Sequence, residues 1–109
     1  MNDQVEGAWE LLSGQPLPEG ARDIKILSGG RFVFVAFDTR SGKPLYTAGG
    51  TYSLDGNAYT ERMEFASERI SDLIGKDQSF TVEVREDMLK QQGTLTNGQP
   101  LKEEFRRIG

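Results

Sequence analysis

Cysteine and histidine are both missing from the 109 residues of this chain. Without cysteine there is no disulfide, no thiolate nucleophile and no cysteine-ligated zinc or iron–sulfur site. Without histidine there is no serine–histidine–aspartate triad, no histidine-ligated haem and no zinc hydrolase site of the usual kind. Since these absences remove much of the familiar catalytic chemistry, we predict no cofactor, no metal site and no assigned catalytic residue.

Long apolar runs and basic patches are missing too. No run approaches the roughly 20 apolar residues of a membrane-spanning helix, and no export signal opens the chain. The net charge is -4, and acidic residues precede the single basic doublet, Arg106–Arg107. A nucleic-acid partner needs a basic patch. The sequence therefore predicts neither a membrane span nor a nucleic-acid partner, and it leaves the oligomeric state open.

Glycine divides the chain into short segments. There are 13 glycines, and many stand beside turn-forming partners, as in Ser28-Gly29-Gly30, Asp55-Gly56-Asn57 and Asn97-Gly98. Hydrophobic residues make up only 36% of the chain, which suits strands that bury every second residue. A length of 109 residues predicts one domain over residues 1–109.

The segments between these turns have the alternation and the β-branched and aromatic content of strands. The predicted strands are 7–13, 23–27, 31–38, 46–54, 59–66, 80–86, 89–95 and 101–108. One segment differs, because Ile70, Leu73 and Ile74 have helical spacing. Ser67–Gly75 is thus predicted to be one short helix, capped by Ser67 and ended by Gly75, that serves either as a lid or as an apolar plug.

Eight strands joined mostly by tight turns predict an all-β fold, an antiparallel up-and-down barrel with one short helix. Closure removes the exposed edges of an open meander. An interior of eight strands is either filled by side chains or holds one small ligand.

Period-two alternation predicts which side chains point into the barrel. The third strand is apolar on both faces, so Phe32, Phe34 and Ala36 compete with the alternate set. Acidic groups fall on two inner faces, which predicts a wet lumen or an internal ion pair. The residues predicted to line the lumen are Tyr52, Tyr59, Glu61, Met63, Phe65, Phe80, Val82 and Glu103.

A G-x-W motif, Gly7-Ala8-Trp9, stands on the first strand, and Arg107 is near the end of the last. This pairing resembles the lipocalin and wider calycin group. The resemblance implies that Trp9 lies across the closed end of a lipocalin-like barrel and that Arg107 stacks on it. A guanidinium packs well on an indole face, so closing the barrel is favoured over lining a ligand site.

A narrower resemblance is to small bacterial lipocalin-like domains of unknown function. It is carried by Gly49-Gly50-Thr51-Tyr52, by Tyr59-Thr60-Glu61 and by Leu101-Lys102-Glu103-x-Phe105-x-Arg107. This likeness implies a soluble domain in a periplasmic or extracellular location, with any export signal outside this sequence. The paired glycines in mid-strand predict a bulge or sharp bend.

Three functions remain open from the sequence. The first is binding of a small, partly apolar molecule in the lumen, with carboxylates orienting its polar end. The second is an acid–base enzyme that uses Glu61 or Glu103, although a structural pairing of Glu103 with Arg107 or Tyr59 is favoured. The third is an accessory domain with a filled barrel, whose partner meets the strand Phe32–Phe37.

Overall fold

The computed structural model describes residues 4–109. In this range eight antiparallel strands follow one another around a closed barrel, and the last pairs with the first. The strands are β1 (Gly7–Ser13), β2 (Ala21–Ser28), β3 (Arg31–Asp38), β4 (Pro44–Asp55), β5 (Ala58–Ala66), β6 (Asp77–Arg85), β7 (Met88–Thr94) and β8 (Pro100–Arg107). The predicted eight-stranded up-and-down barrel is therefore confirmed.

The two ends of the barrel are closed differently. At the lower end β2–β3, β4–β5 and β6–β7 are joined by two-residue turns, and Gly29 and Gly30 both have positive φ (59° and 80°). Glycine takes that conformation without steric cost, which is what the tightest hairpin turns need. At the upper end the connections 14–20, 39–43, 67–76 and 95–99 are longer. The upper end is therefore the one with room for an opening.

Large buried side chains occupy the lower half of the interior. Trp9 has no exposed surface, and its indole nitrogen donates a hydrogen bond of 2.8 Å to the carbonyl of Val5. Each strand contributes inward side chains to this core. Its buried members include Val5, Trp9, Leu27, Phe32, Tyr52, Tyr59, Val82, Leu89 and Phe105. Burial of this apolar surface is the main force that stabilises the barrel.

The structure shows which side chains of β3, a strand that is apolar on both faces, point into the barrel. Phe32 and Ala36 are buried and Phe34 is packed against the core, whereas Val33 is exposed. Phe32 pairs with Gly50 and Phe34 with Ala48 on β4. Phe32 and Phe34 thus point inward where β4 offers small partners.

Phe65 does not point into the lumen, and its assignment as a lining residue is wrong. Its side chain is on the outer face of β5 and is 47% exposed. The register shifts there, since Gly49 pairs with Phe65 but Gly50 pairs with Met63. Glu64 is thus the extra residue of a β-bulge, and one extra residue reverses the alternation beyond it. The ring of Phe65 covers Gly49 from outside.

The predicted short helix is present only as a 3₁₀ helix, Glu68–Leu73. Ser67 makes no side-chain cap bond, so its predicted role as a cap is wrong. Its hydroxyl instead accepts from the backbone N–H of Thr47 (2.9 Å) and donates to the Thr47 carbonyl (3.1 Å). The other end is tied to β5, because Gly75 donates its N–H to the Met63 carbonyl (2.8 Å). Because this short segment is hydrogen-bonded to the barrel at both ends, it has no room for regular α-helical turns.

Leu73 alone of the predicted apolar trio is buried, while Ile74 is exposed. Among residues 4–109, no helix has the length and apolar character of a membrane span.

Candidate ligand-binding site

A buried ion pair crosses the middle of the barrel. The alternation of β2 sends Lys25 inward, while Ile24 and Ile26 face outward. Lys25 Nζ forms an ion pair with Glu61 Oε2, and both residues are only 3% exposed. Lys25 also donates to Gln91 Oε1 (3.2 Å), and the Tyr59 hydroxyl donates to Glu61 Oε2 (2.6 Å). We call Lys25, Tyr59, Glu61 and Gln91 the polar belt.

Aromatic rings surround the cation of the polar belt. Lys25 Nζ is 5.7 Å from the ring centroid of Phe32, 5.2 Å from that of Tyr59 and 5.6 Å from that of Phe105. A cation over an aromatic face is attracted by the ring quadrupole, more so where water is excluded. The opposite charges of the polar belt therefore compensate each other, and the belt lies between the packed lower half of the barrel and the space above it.

Above the belt the barrel contains a chamber of about 420 Å³. The 3₁₀ helix and the connections 14–20 and 95–99 surround its upper end. Its lining combines apolar and polar side chains from every part of the upper barrel. These include Asp23, Lys25, Phe34, Tyr46, Glu61, Met63, Arg69, Ile70, Leu73, Gln78, Phe80, Leu101, Glu103 and Phe105.

Two lining residues form a hydrogen-bonded couple on one wall of the chamber. The Tyr46 hydroxyl donates to Asp23 Oδ2 at 2.8 Å. Burial raises the pKa of Asp23, although the bond from Tyr46 and the charge of Lys25 oppose this rise. Burial and the neighbouring carboxylate raise the pKa of Tyr46, so its hydroxyl stays a donor. The guanidinium of Arg69 lies over the Tyr46 ring, 5.6 Å from its centroid.

Glu103 stands on β8, next to Gln91 in register. Burial raises the pKa of its carboxyl to about 7. Repulsion from Glu61 and Asp23 adds to this rise, while the charge of Lys25 and a hydrogen bond with Gln15 oppose it. The chamber thus contains a carboxyl group that changes its charge close to neutral pH.

Glu103→Gln is expected to make the chain more stable at pH 8 and to leave it nearly unchanged at pH 4.5. The folded pKa of about 7 lies above the usual 4.5. Glu103 therefore contributes stability that is fully present below pH 4.5 and is lost as the pH rises through about 7. Glutamine never ionises, so up to about 3 kcal/mol is retained at pH 8. Urea unfolding at the two pH values measures this.

The matched control is Glu83→Gln, which removes an exposed carboxylate from the outer face of β6. It should leave the dependence of stability on pH as in the unmodified chain. If the free energy of unfolding changed with pH in the same way in Glu103→Gln and in the unmodified chain, the Glu103 carboxyl would be solvated rather than buried.

The structure brings together four of the eight residues predicted to line the lumen. Glu61, Met63, Phe80 and Glu103 all line the chamber. The other inward residues of that set, Tyr52, Tyr59 and Val82, are packed in the core instead. Tyr59 reaches the site through its hydroxyl alone, which holds Glu61.

The lower end holds the residues predicted to close the barrel. The guanidinium carbon of Arg107 is 4.2 Å from the ring centroid of Trp9. Its nitrogens donate to the carbonyls of Glu6 (2.8 Å) and Gln4 (3.2 Å). The predicted pairing of Glu103 with Arg107 or Tyr59 is wrong, since Arg107 caps the lower end and Tyr59 donates to Glu61.

Sequence reasoning missed Asp23, Lys25 and Gln91 as site residues. The alternating Ile24 and Ile26 favour the opposite direction for β2, with the isoleucines inside. A signal was available, however, because Leu27 is in phase with Lys25 and an inward Glu61 needs a cation. Among residues 4–109 no three acidic side chains converge as metal ligands.

No protein-family model and no curated protein matches this chain. A similar solved structure is that of a de novo designed fluorescence-activating β-barrel. The two are 18% identical, with a TM-score of 0.54 over 96% of this chain and 94% of the designed one. At this identity the likeness shows a common barrel fold.

Proposed function

We propose that this chain is a lipocalin-like domain that binds a small, partly apolar molecule inside the barrel. The main support for this proposal is the chamber. Its volume of about 420 Å³ lies within the range of about 300–1,000 Å³ typical of small-molecule sites. Its lining combines apolar and aromatic side chains, which can bury a ligand's apolar part, with charged and amide groups that can orient its polar end.

The contrast between the two halves of the barrel supports the proposal. The lower half is closely packed, so this sequence is able to fill a barrel where filling is all that is needed. In the upper half the barrel instead keeps a space lined by Asp23, Tyr46 and Glu103, groups that are costly to bury. This favours ligand binding over an accessory domain with a filled interior. The similar designed barrel is described as fluorescence-activating, and it supports the proposal at the level of fold alone.

Glu103 supports a second candidate, an acid–base enzyme, because its pKa of about 7 suits proton transfer near neutral pH. Such an enzyme would lose turnover, but keep binding, in Glu103→Gln.

Leu101→Trp tests ligand binding by filling the chamber. We expect saturation-transfer NMR of the unmodified chain, with a mixture of small aromatic and aliphatic amines, alcohols and carboxylic acids, to detect bound compounds. Leu101 lines the chamber, so an indole at this position should weaken the binding of each compound at least about tenfold, which corresponds to ~1.4 kcal/mol.

Leu12→Trp is the matched control, because Leu12 is 50% exposed on β1 and the same substitution there leaves the chamber open. Binding that is unchanged in Leu101→Trp, or equally reduced in both variants, would place the compounds outside the chamber and contradict the proposal.

A further inference from the structure

The ionisable side chains around the chamber are unequally matched. Four acidic residues and two basic ones line it, namely Asp23, Glu61, Asp72 and Glu103 against Lys25 and Arg69. Lys25 is already paired with Glu61, and Arg69 lies over the Tyr46 ring. In the chain from residue 4 to 109, neither Asp23 nor Glu103 has a basic side chain within ion-pair distance.

Aromatic rings line the chamber together with these two carboxyl groups. Phe34, Tyr46, Phe80 and Phe105 contribute rings to the same chamber. The faces of such rings attract cations, most strongly where water is excluded. The barrel already uses this chemistry at Lys25, since three rings surround its Nζ at 5.2 to 5.7 Å.

From this juxtaposition we propose that the chamber selects small organic cations, with an ammonium group held by the carboxylates of Asp23 and Glu103 and an apolar body among the rings. This inference rests on the proposed function and adds the chemical class of its ligand. A charge-assisted hydrogen bond to a carboxylate is stronger than a neutral one. The cation would also supply the counter-charge that each of these carboxylates lacks.

Other ligand charges fit the chamber less well. An anion would approach Asp23 and Glu103, while Lys25 below it is already paired with Glu61. A neutral ligand leaves both carboxyl groups without a counter-charge. The raised pKa values of both groups have burial as their largest cause, and a bound cation would lower them again.

Three probes of matched shape test the ligand class. They are 2-phenylethylamine, 2-phenylethanol and 3-phenylpropionate, which are cationic, neutral and anionic at pH 8. Chemical-shift titrations of the folded full-length chain measure the dissociation constant of each. We expect the amine to bind at least about tenfold more tightly than the alcohol, and the carboxylate to bind most weakly.

Asp23→Asn combined with Glu103→Gln should reduce the preference for the amine to less than about threefold, while the alcohol binds as before. The matched control is Asp55→Asn with Glu83→Gln. Both of these side chains are exposed, and the control removes the same net charge. It should keep the full preference, which separates a local effect from a change in overall charge.

Lowering the pH from 8 to 5 is expected to weaken binding of the amine several-fold and to leave binding of the alcohol unchanged. The reason is that Glu103 becomes protonated while the amine stays charged. The charged groups that face Glu103 are Asp23 and Lys25 on β2 and Glu61 on β5. Arg69 and Asp72 of the 3₁₀ helix line the same chamber. In Glu103→Gln most of this dependence on pH should disappear.

The outcomes separate the inference from the proposed function. Equal or tighter binding of the alcohol or the carboxylate, with all three probes weakened by Leu101→Trp, would overturn the cation preference and leave chamber binding intact. If none of the probes responds to Leu101→Trp, both proposals fail. Loss of the preference in the Asp55 and Glu83 control would also overturn the inference.

Discussion

Replacing Lys25 with methionine is expected to lower the free energy of unfolding by about 3–5 kcal/mol. Methionine keeps most of the apolar stem but removes the ammonium group, so Glu61 stays buried at 3% exposure without its cation. A buried charge without a partner is among the few causes of destabilisation this large. Urea unfolding at pH 7, followed by circular dichroism, measures the change.

The double variant Lys25→Met with Glu61→Gln is expected to recover most of the loss. Glutamine removes the unpaired charge and still accepts the hydrogen bond from Tyr59. A double-mutant cycle over the two positions then gives the coupling energy of the pair. A cost below about 1 kcal/mol for Lys25→Met, the range of exposed ion pairs, would mean that water from the chamber solvates Glu61 and that the belt is not sealed.

Gly50→Ala is expected to destabilise the barrel by about 4 kcal/mol or more, or to prevent folding. A Cβ at this position would be 1.9 Å from the Arg62 carbonyl oxygen and 2.8 Å from the Glu64 backbone nitrogen. Both are main-chain atoms of the bulged strand, so no side chain can move aside to relieve the overlap. Thermal unfolding, and the yield of folded protein, measure the effect.

Ser53→Ala is the control for Gly50→Ala, because it places the same alanine side chain at an exposed position of β4. It should change stability by no more than about 0.5 kcal/mol. A similarly small cost for Gly50→Ala would contradict the close approach of β4 and β5, and with it the bulge at Glu64.

The strands were predictable from the sequence because turns and alternation are local signals. All eight predicted segments are strands, and β1 and β3 have their predicted bounds. The depth of a residue along the barrel is not a local signal. Alternation places Tyr59 and Glu61 on the same inner face, but it does not distinguish the packed core from the chamber above it.

Which side chains of β2 point inward could not be predicted from the sequence of β2 alone. Ile24 and Ile26 are the more apolar set, yet they face outward beside the apolar outer residues of β3. Lys25 faces inward because Glu61, 36 residues later in the chain, compensates its charge. Long-range compensation of this kind is invisible to a period-two pattern.

Phe65 shows a further limit of alternation. The paired glycines of β4 predict a bulge or bend, but the extra residue, Glu64, is on the partner strand β5. A pattern within β5 carries no sign of it, so every inward assignment beyond Met63 is reversed.

A crystal structure of the unmodified chain grown with 2-phenylethylamine would show whether the chamber above the polar belt binds a small organic cation. We expect density for the phenyl ring among Phe34, Phe80 and Phe105, with the nitrogen about 3 Å from a carboxylate oxygen of Asp23 or Glu103. Density for the amine only on the outer surface, with the chamber collapsed or filled by side chains, would contradict this expectation.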